Sequence, residues 1–264
     1  MPVEVNLVAR ARGDLPLYEI DALQRWGLDA VVTGRRGGVS AAPYDSLNLG
    51  DHVGDEPAHV AENRRRVATA LDHDPTALVI ARQVHGARVN DVDQWSGEPL
   101  EGDAMVTTRH DIVLGVLVAD CVPLVLVDTA SQRYAVVHAG WRGLLEGVIA
   151  ATLSRFANPA QVRVAIGPHI SPLAYQVGPE VARHFAAIDA AVLEDVEDRS
   201  RLDLSAVALH QLALGGVEAA HVIVCSPPTD GAVEFFSDRA QRPGGRFGLF
   251  AHRSYDSSLR EGLT

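Results

Sequence analysis

Short runs dense in valine, isoleucine and leucine recur along this chain, and the gaps between several of them are too small for a crossover helix. They occupy residues 30–33, 77–83, 104–107, 112–119, 124–127, 134–138, 162–166 and 221–225, bounded by glycine, proline or aspartate. Such runs read as strands. Parallel neighbours need a connection of a dozen or more residues. Residues 112–119 and 124–127 are too close for that, so the sheet must be mixed. Helical patterns fall at 56–71, 142–156, 179–192 and 204–214, with Asp55 expected to cap the first. Asp203 is expected to cap the last, which Gly215 and Gly216 end. The expectation is an α+β fold in one domain spanning residues 1–264, with helices covering mixed sheets.

Charge narrows the function. The 34 acidic residues outnumber the 23 basic ones, all arginine, for a formal net charge of −11. Nucleic-acid binding relies on cations neutralising phosphates, so this balance argues against a DNA or RNA partner. The longest apolar run, residues 112–119, is far short of the ~20 residues of a membrane helix. The N-terminal residues carry no apolar stretch like a signal peptide, so a soluble cytoplasmic protein without a membrane partner is expected. Two cysteines, Cys121 and Cys225, make no disulfide framework, and Cys225 reads as core.

The common catalytic motifs are missing: no P-loop, no G-x-G-x-x-G, no G-x-S-x-G, no H-E-x-x-H and no C-x-x-C. Three segments stand out instead, each placing a metal-ligand type at the end of a β-run. They are Ala81-Arg-Gln-Val-His85-Gly, Val118-Ala-Asp-Cys121-Val-Pro and Val136-Val-His138-Ala-Gly-Trp-Arg-Gly143. Two imidazoles and one thiolate suit Zn²⁺ and leave a fourth position open, the pattern of catalytic rather than structural zinc. The spacing, 35 and 16 intervening residues, fits no compact metal motif. The same atoms also support a metal-free reading, with Cys121 as nucleophile and His138 as its base. Residues 34–40 (Gly-Arg-Arg-Gly-Gly-Val-Ser) offer an anion cradle, and Arg142 begins a helix where anions are favoured. Of the other histidines, His169 is kept in reserve because it follows a strand and a Gly-Pro turn. His52, His59, His73, His110, His184, His210 and His252 read as ordinary polar, loop or helix-surface residues.

Read together, Arg36-Gly-Gly-Val-Ser40, Pro43-Tyr-Asp-Ser-Leu-Asn-Leu-Gly50, Asn63-Arg64, Gln83-Val-His-Gly86, Asp103-Ala-Met, Ala119-Asp-Cys121, His138-Ala-Gly-Trp-Arg-Gly143 and Ile166-Gly-Pro168 carry a resemblance. They resemble, in the same order, the multicopper polyphenol oxidase or laccase-domain family. Its members are also described as peptidoglycan editing factors and purine nucleoside phosphorylases. The resemblance implies a layered α/β/β/α sandwich shared with cysteine hydrolases and deamidases. It implies zinc on His85, Cys121 and His138, which are thereby also the catalytic candidates, and a pocket including Arg36, Asn48, Arg64 and Arg142. The implied reactions are phosphorolysis of adenosine, inosine and methylthioadenosine, with adenosine deamination alongside, so the partners are a purine nucleoside and phosphate. The competing readings are an amide hydrolase editing muramyl-peptide precursors, a copper-dependent polyphenol oxidase and a non-catalytic metal-binding protein. Multicopper oxidation draws on H-x-H pairs, whereas this chain has 11 histidines and none so spaced. Cu²⁺ would nonetheless compete for an N/S site in vitro. The chain departs from the family pattern at His169, where cysteine is common, and at Phe235-Phe-Ser-Asp-Arg239.

Overall fold

The structure, a computed structural model, describes residues 1–230 and 233–253. It opens with β1 (Val3–Asn6), β2 (Ala9–Arg12), β3 (Leu15–Glu19) and β4 (Leu28–Thr33), then helix α1 (Pro57–Ala70). Strands β5 (Leu78–Ile80), β6 (Val89–Asp91), β7 (Ala104–Thr107), β8 (Val113–Val118), β9 (Val122–Asp128) and β10 (Tyr134–Ala139) follow, then helices α2 (Trp141–Glu146) and α3 (Val148–Leu153). Next come β11 (Val162–Ile166), β12 (Gln176–Val177), α4 (Pro179–Ala182), β13 (Val192–Glu194) and β14 (Ser200–Leu202). Helix α5 (Leu204–Leu214), β15 (Val222–Ser226) and β16 (Phe247–Arg253) complete the order.

Alternation along the valine-rich strands builds the layers. On β9, Leu124 and Leu126 enter one core while Val125 and Val127 enter another, as a strand buried on both faces requires. The first core lies between the seven-stranded sheet, ordered β1-β15-β11-β9-β10-β7-β6, and helical residues such as Leu144, Ile149, Val207 and Leu212. The second fills the space between that sheet and the six-stranded sheet, ordered β2-β3-β4-β16-β8-β5. The third packs Val67 of α1 and the following Leu71 against Leu17, Val31 and Phe250 on the outer face of the six-stranded sheet. The result is the α/β/β/α layering. Both large sheets are mixed: β1-β15, β15-β11, β7-β6 and β5-β8 are parallel and the other pairs antiparallel. No described helix is long and apolar enough to cross a membrane.

Several local expectations change. Strands β8 and β9 do not pair; they lie in different sheets, and the short link holding Asp120 and Cys121 carries the chain from one to the other. The helix expected over 142–156 is two helices, because Gly147 adopts φ 83° and ends α2. The 179–192 pattern yields only the single turn of α4 before irregular chain. Helix α1 begins behind Glu56 rather than Asp55, whose carboxylate is taken by Ser40 and Asn48. Helix α5 matches, with Asp203 accepting the Ala206 N–H at 2.9 Å.

Candidate metal centre and its cavity

Two loops and the end of a strand meet at the candidate centre. His85 follows β5, Cys121 sits on the crossing between the sheets, and His138 lies near the end of β10. Their potential ligand atoms all fall within 4.8 Å of one another, and among the described residues no other triplet does this. The two imidazoles meet edge-on, with ring centroids 4.8 Å apart.

Asp103, beside β7 and fully buried, organises two of the three. Its carboxylate accepts the backbone N–H groups of Val84, His85 and Gly86 at 3.2, 2.9 and 2.8 Å. That cradle holds His85 at φ 60°, a backbone conformation side chains rarely adopt. Asp103 also accepts the Nδ1–H of His138 at 2.8 Å, so Nε2 is the nitrogen left to act as ligand or base. Cys121 is placed by its neighbour. Asp120, at φ 88°, accepts from the Thr229 hydroxyl and the Arg239 N–H, each at 2.7 Å. Gly140 closes the centre: a Cβ there would lie 3.0 Å from Cys121 Sγ and 3.0 Å from His85 Nδ1.

The electrostatics follow from this packing. Burial alone would raise the Cys121 thiol, but His138 and His85 outweigh it and bring the thiol below its ordinary range. Burial alone would lower His138, but Cys121 and Asp103 push it up. Each member of the pair therefore favours the charged form of the other. Desolvation would raise Asp103 as well, yet His138 and the N–H groups of Gly86 and Val84 bring it below its ordinary range. A soft thiolate, two imidazoles and a carboxylate fixing one imidazole form a donor set that fits Zn²⁺.

The three residues line a cavity of about 570 Å³, within the range of small-molecule sites. Arg64 is on its wall, with Nε donating to Leu49 O at 3.0 Å and Nη2 at 3.2 Å from Asp51. Arg36, Asn48 and Arg142 are not on that wall. Arg36 is exposed because the turn after β4 is pinned through Arg35, whose carbonyl accepts the Ser46 and Leu47 N–H groups. Asn48 is fully buried, its amide shared among Gly50, Asp55 and the Arg246 N–H, so it shapes the loop. Arg142 is exposed, its guanidinium over the Trp141 ring at 4.3 Å. In the 34–40 segment the N–H groups of Gly38, Val39 and Ser40 are spent on Ser46 and Asn63. His169 is buried with Nδ1–H donated to Gly167 O at 2.8 Å. Cys225 is buried core, as read.

The sequence alone does not single out Asp103, Arg82 and Arg246, and it reads His52 as an ordinary polar residue. The last three line the cavity. Asp103 stood inside a quoted motif, but nothing in sequence spacing links it to a histidine 35 positions on.

Comparison with known proteins agrees with this architecture. The family model described as "Multi-copper polyphenol oxidoreductase laccase" matches residues 29–253. Purine nucleoside phosphorylase YfiH of Escherichia coli is 40% identical over 231 residues, covering 85% of this chain and 93% of that protein. A purine nucleoside phosphorylase of Pseudomonas aeruginosa is 39% identical over 224 residues, 83% of this chain and 90% of its own. The crystal structure of YlmD from Geobacillus stearothermophilus matches with a TM-score of 0.87 at 29% identity, over 94% of this chain and 100% of that one.

Proposed function

Because this chain belongs to the multi-copper polyphenol oxidoreductase laccase family, we propose that it is a zinc-dependent purine nucleoside phosphorylase. Its substrates are adenosine, inosine and methylthioadenosine, and it deaminates adenosine alongside. The observation that carries the reading is the convergence of His85, Cys121 and His138 on a cavity whose wall also holds Arg64, Arg82 and Arg246. Relatives named purine nucleoside phosphorylases support the substrate class.

In this reading His85, Cys121 and His138 hold the ion, and Asp103 fixes the His138 tautomer from behind. When bound, the ion supplies a Lewis acid at the cavity wall. Phosphorolysis joins a phosphate oxygen to C1′ while the bond from C1′ to the purine breaks, so the site must hold an anion beside a developing sugar cation. Guanidinium groups on the wall serve the anion, since their planar donors match phosphate oxygens. Arg64 retains donors beyond those given to Leu49 and Asp51.

The lowered Cys121 thiol beside His138 favours one second reading, an amide hydrolase acting on muramyl-peptide precursors with Cys121 as nucleophile. Two further readings have less support. A multicopper centre needs several ligand groups, and a purely structural zinc normally takes four protein donors.

The test is adenosine turnover by metal-quantified protein, with and without phosphate. Adenine released only with phosphate, and lost in Cys121→Ala together with the metal, is the expected result. Turnover of an amide substrate without phosphate, with adenosine untouched, sinks the phosphorylase reading.

A further inference from the structure

Phosphorolysis of a purine nucleoside needs an acid to protonate the departing base, and the metal ligands and Asp103 are committed elsewhere. The remaining polar side chains on the cavity wall are Asp51, His52, Arg64, Arg82, Gln83, Asp238 and Arg246. Most are already spoken for. Gln83 donates to Leu117 O at 2.7 Å and accepts the Leu117 N–H at 2.8 Å. Asp238 accepts from Arg242 at 2.7 Å and from Arg246 at 3.0 Å. Arg82 is engaged with Glu101. Desolvation would raise the Asp51 carboxyl, but Arg64, a backbone N–H and His52 together bring it below its ordinary range. Arginine does not release a proton in proteins.

His52 differs from all of these. Its Nδ1 lies 3.5 Å from Asp51 Oδ1, while its Nε2 makes no hydrogen bond among the described residues. Its side chain is 63% exposed, so the ring is reachable by a ligand entering the cavity. Imidazole is also the side chain that both gives and takes a proton near neutral pH.

Resting on the phosphorylase reading, we infer that His52 is the general acid for the departing purine, oriented by Asp51. Its Nε2 gives a proton to N7 of the base as the C1′–N9 electron pair passes into the purine ring. A phosphate oxygen lone pair forms the new C1′–O bond. The products are neutral base, ribose 1-phosphate and neutral imidazole, which regains its proton from solvent.

A matched pair of substrates tests this. Inosine needs a proton to leave as a neutral base; 7-methylinosine is already cationic and does not. With phosphate present, His52→Gln should lose about 100-fold in kcat on inosine and less than about fivefold on 7-methylinosine. The same split is expected between adenosine and 6-chloropurine riboside, whose weaker base leaves more readily. Zinc content equal to wild type shows that the exposed substitution leaves the metal centre intact. Equal losses on both members of a pair, or an inosine rate within about threefold of wild type, overturn the assignment. Failure of the wild-type protein to release any base with phosphate instead overturns the phosphorylase reading itself.

Discussion

The Oδ1 atom of Asp103 accepts the Nδ1–H of His138 at 2.8 Å, in a place where neither side chain meets solvent. The same oxygen accepts the His85 N–H at 2.9 Å, so one buried carboxylate sets both imidazoles of the centre. A partner of this kind fixes the tautomer and direction of a metal-binding ring. Asp103→Asn should therefore weaken zinc binding by about 10- to 100-fold. Loss of a buried charge opposite His138 should also cost about 3 kcal/mol of stability. Chelator competition and urea unfolding measure the two effects. Wild-type zinc affinity in the variant would refute the role assigned to Asp103.

Gly140 tests the crowding of the centre. Its backbone, at φ −78° and ψ 170°, suits alanine, so the penalty of Gly140→Ala comes from the methyl group pressing on Cys121 Sγ and His85 Nδ1. Overpacking of this kind costs about 1–3 kcal/mol, and we expect at least about a tenfold loss of zinc affinity. Gly147→Ala is the control. Its φ is 83° with nothing within 4 Å of the new Cβ, so it should cost about 1 kcal/mol of stability and leave zinc affinity unaltered.

The two cysteines should differ sharply in reactivity. Cys121 is held toward thiolate by His138 and His85 against the effect of burial, whereas burial pushes Cys225 up to about 12. In metal-free folded protein, iodoacetamide should label Cys121 at least about 100 times faster than Cys225, with zinc protecting Cys121. Peptide mass spectrometry reads both sites, and equal labelling would contradict the assignment.

Far from the cavity, Asp29 should govern part of the acid stability. Desolvation would raise its carboxyl, but His252 and Arg12 outweigh it and bring it down to about 2. Arg12 Nη2 donates to it at 2.9 Å. Because the folded value is depressed, the stabilisation is complete above the unfolded value near 4. It is lost as pH falls toward 2. With partial solvent screening it amounts to about 1–2 kcal/mol. Urea unfolding of Asp29→Asn should show that deficit at neutral pH and a shrinking one below pH ~4, where the wild-type carboxylate is protonated in the unfolded chain. A deficit constant with pH would contradict the ion-pair origin.

The central strands were legible because their valine and leucine runs fill two cores at once, as Leu124 and Val125 do. Strands β1 and β2, reading Val-Glu-Val-Asn and Ala-Arg-Ala-Arg, are largely exposed and carry no such signal. Strand β16 is fully buried between β4 and β8, yet its glycine, histidine and arginine hide it from a pattern search. The sheet change between β8 and β9 is invisible locally, because a short link suits a hairpin as well as a crossing. His85, Cys121 and His138 stood out as ligand types at strand ends. Asp103 did not, because His138 reaches it through the pairing of β7 with β10 and the 84–86 loop through tertiary packing. His52 was discounted for its polar surroundings, which are also those of a cavity mouth.

The most direct test follows the phosphorus. Zinc-quantified protein is incubated with adenosine and inorganic phosphate, and ³¹P NMR follows the sugar product while chromatography follows the base. The account predicts ribose 1-phosphate rising in step with the sum of adenine and hypoxanthine. Adenosine consumed to inosine alone, or left intact, with no sugar phosphate formed, would contradict it.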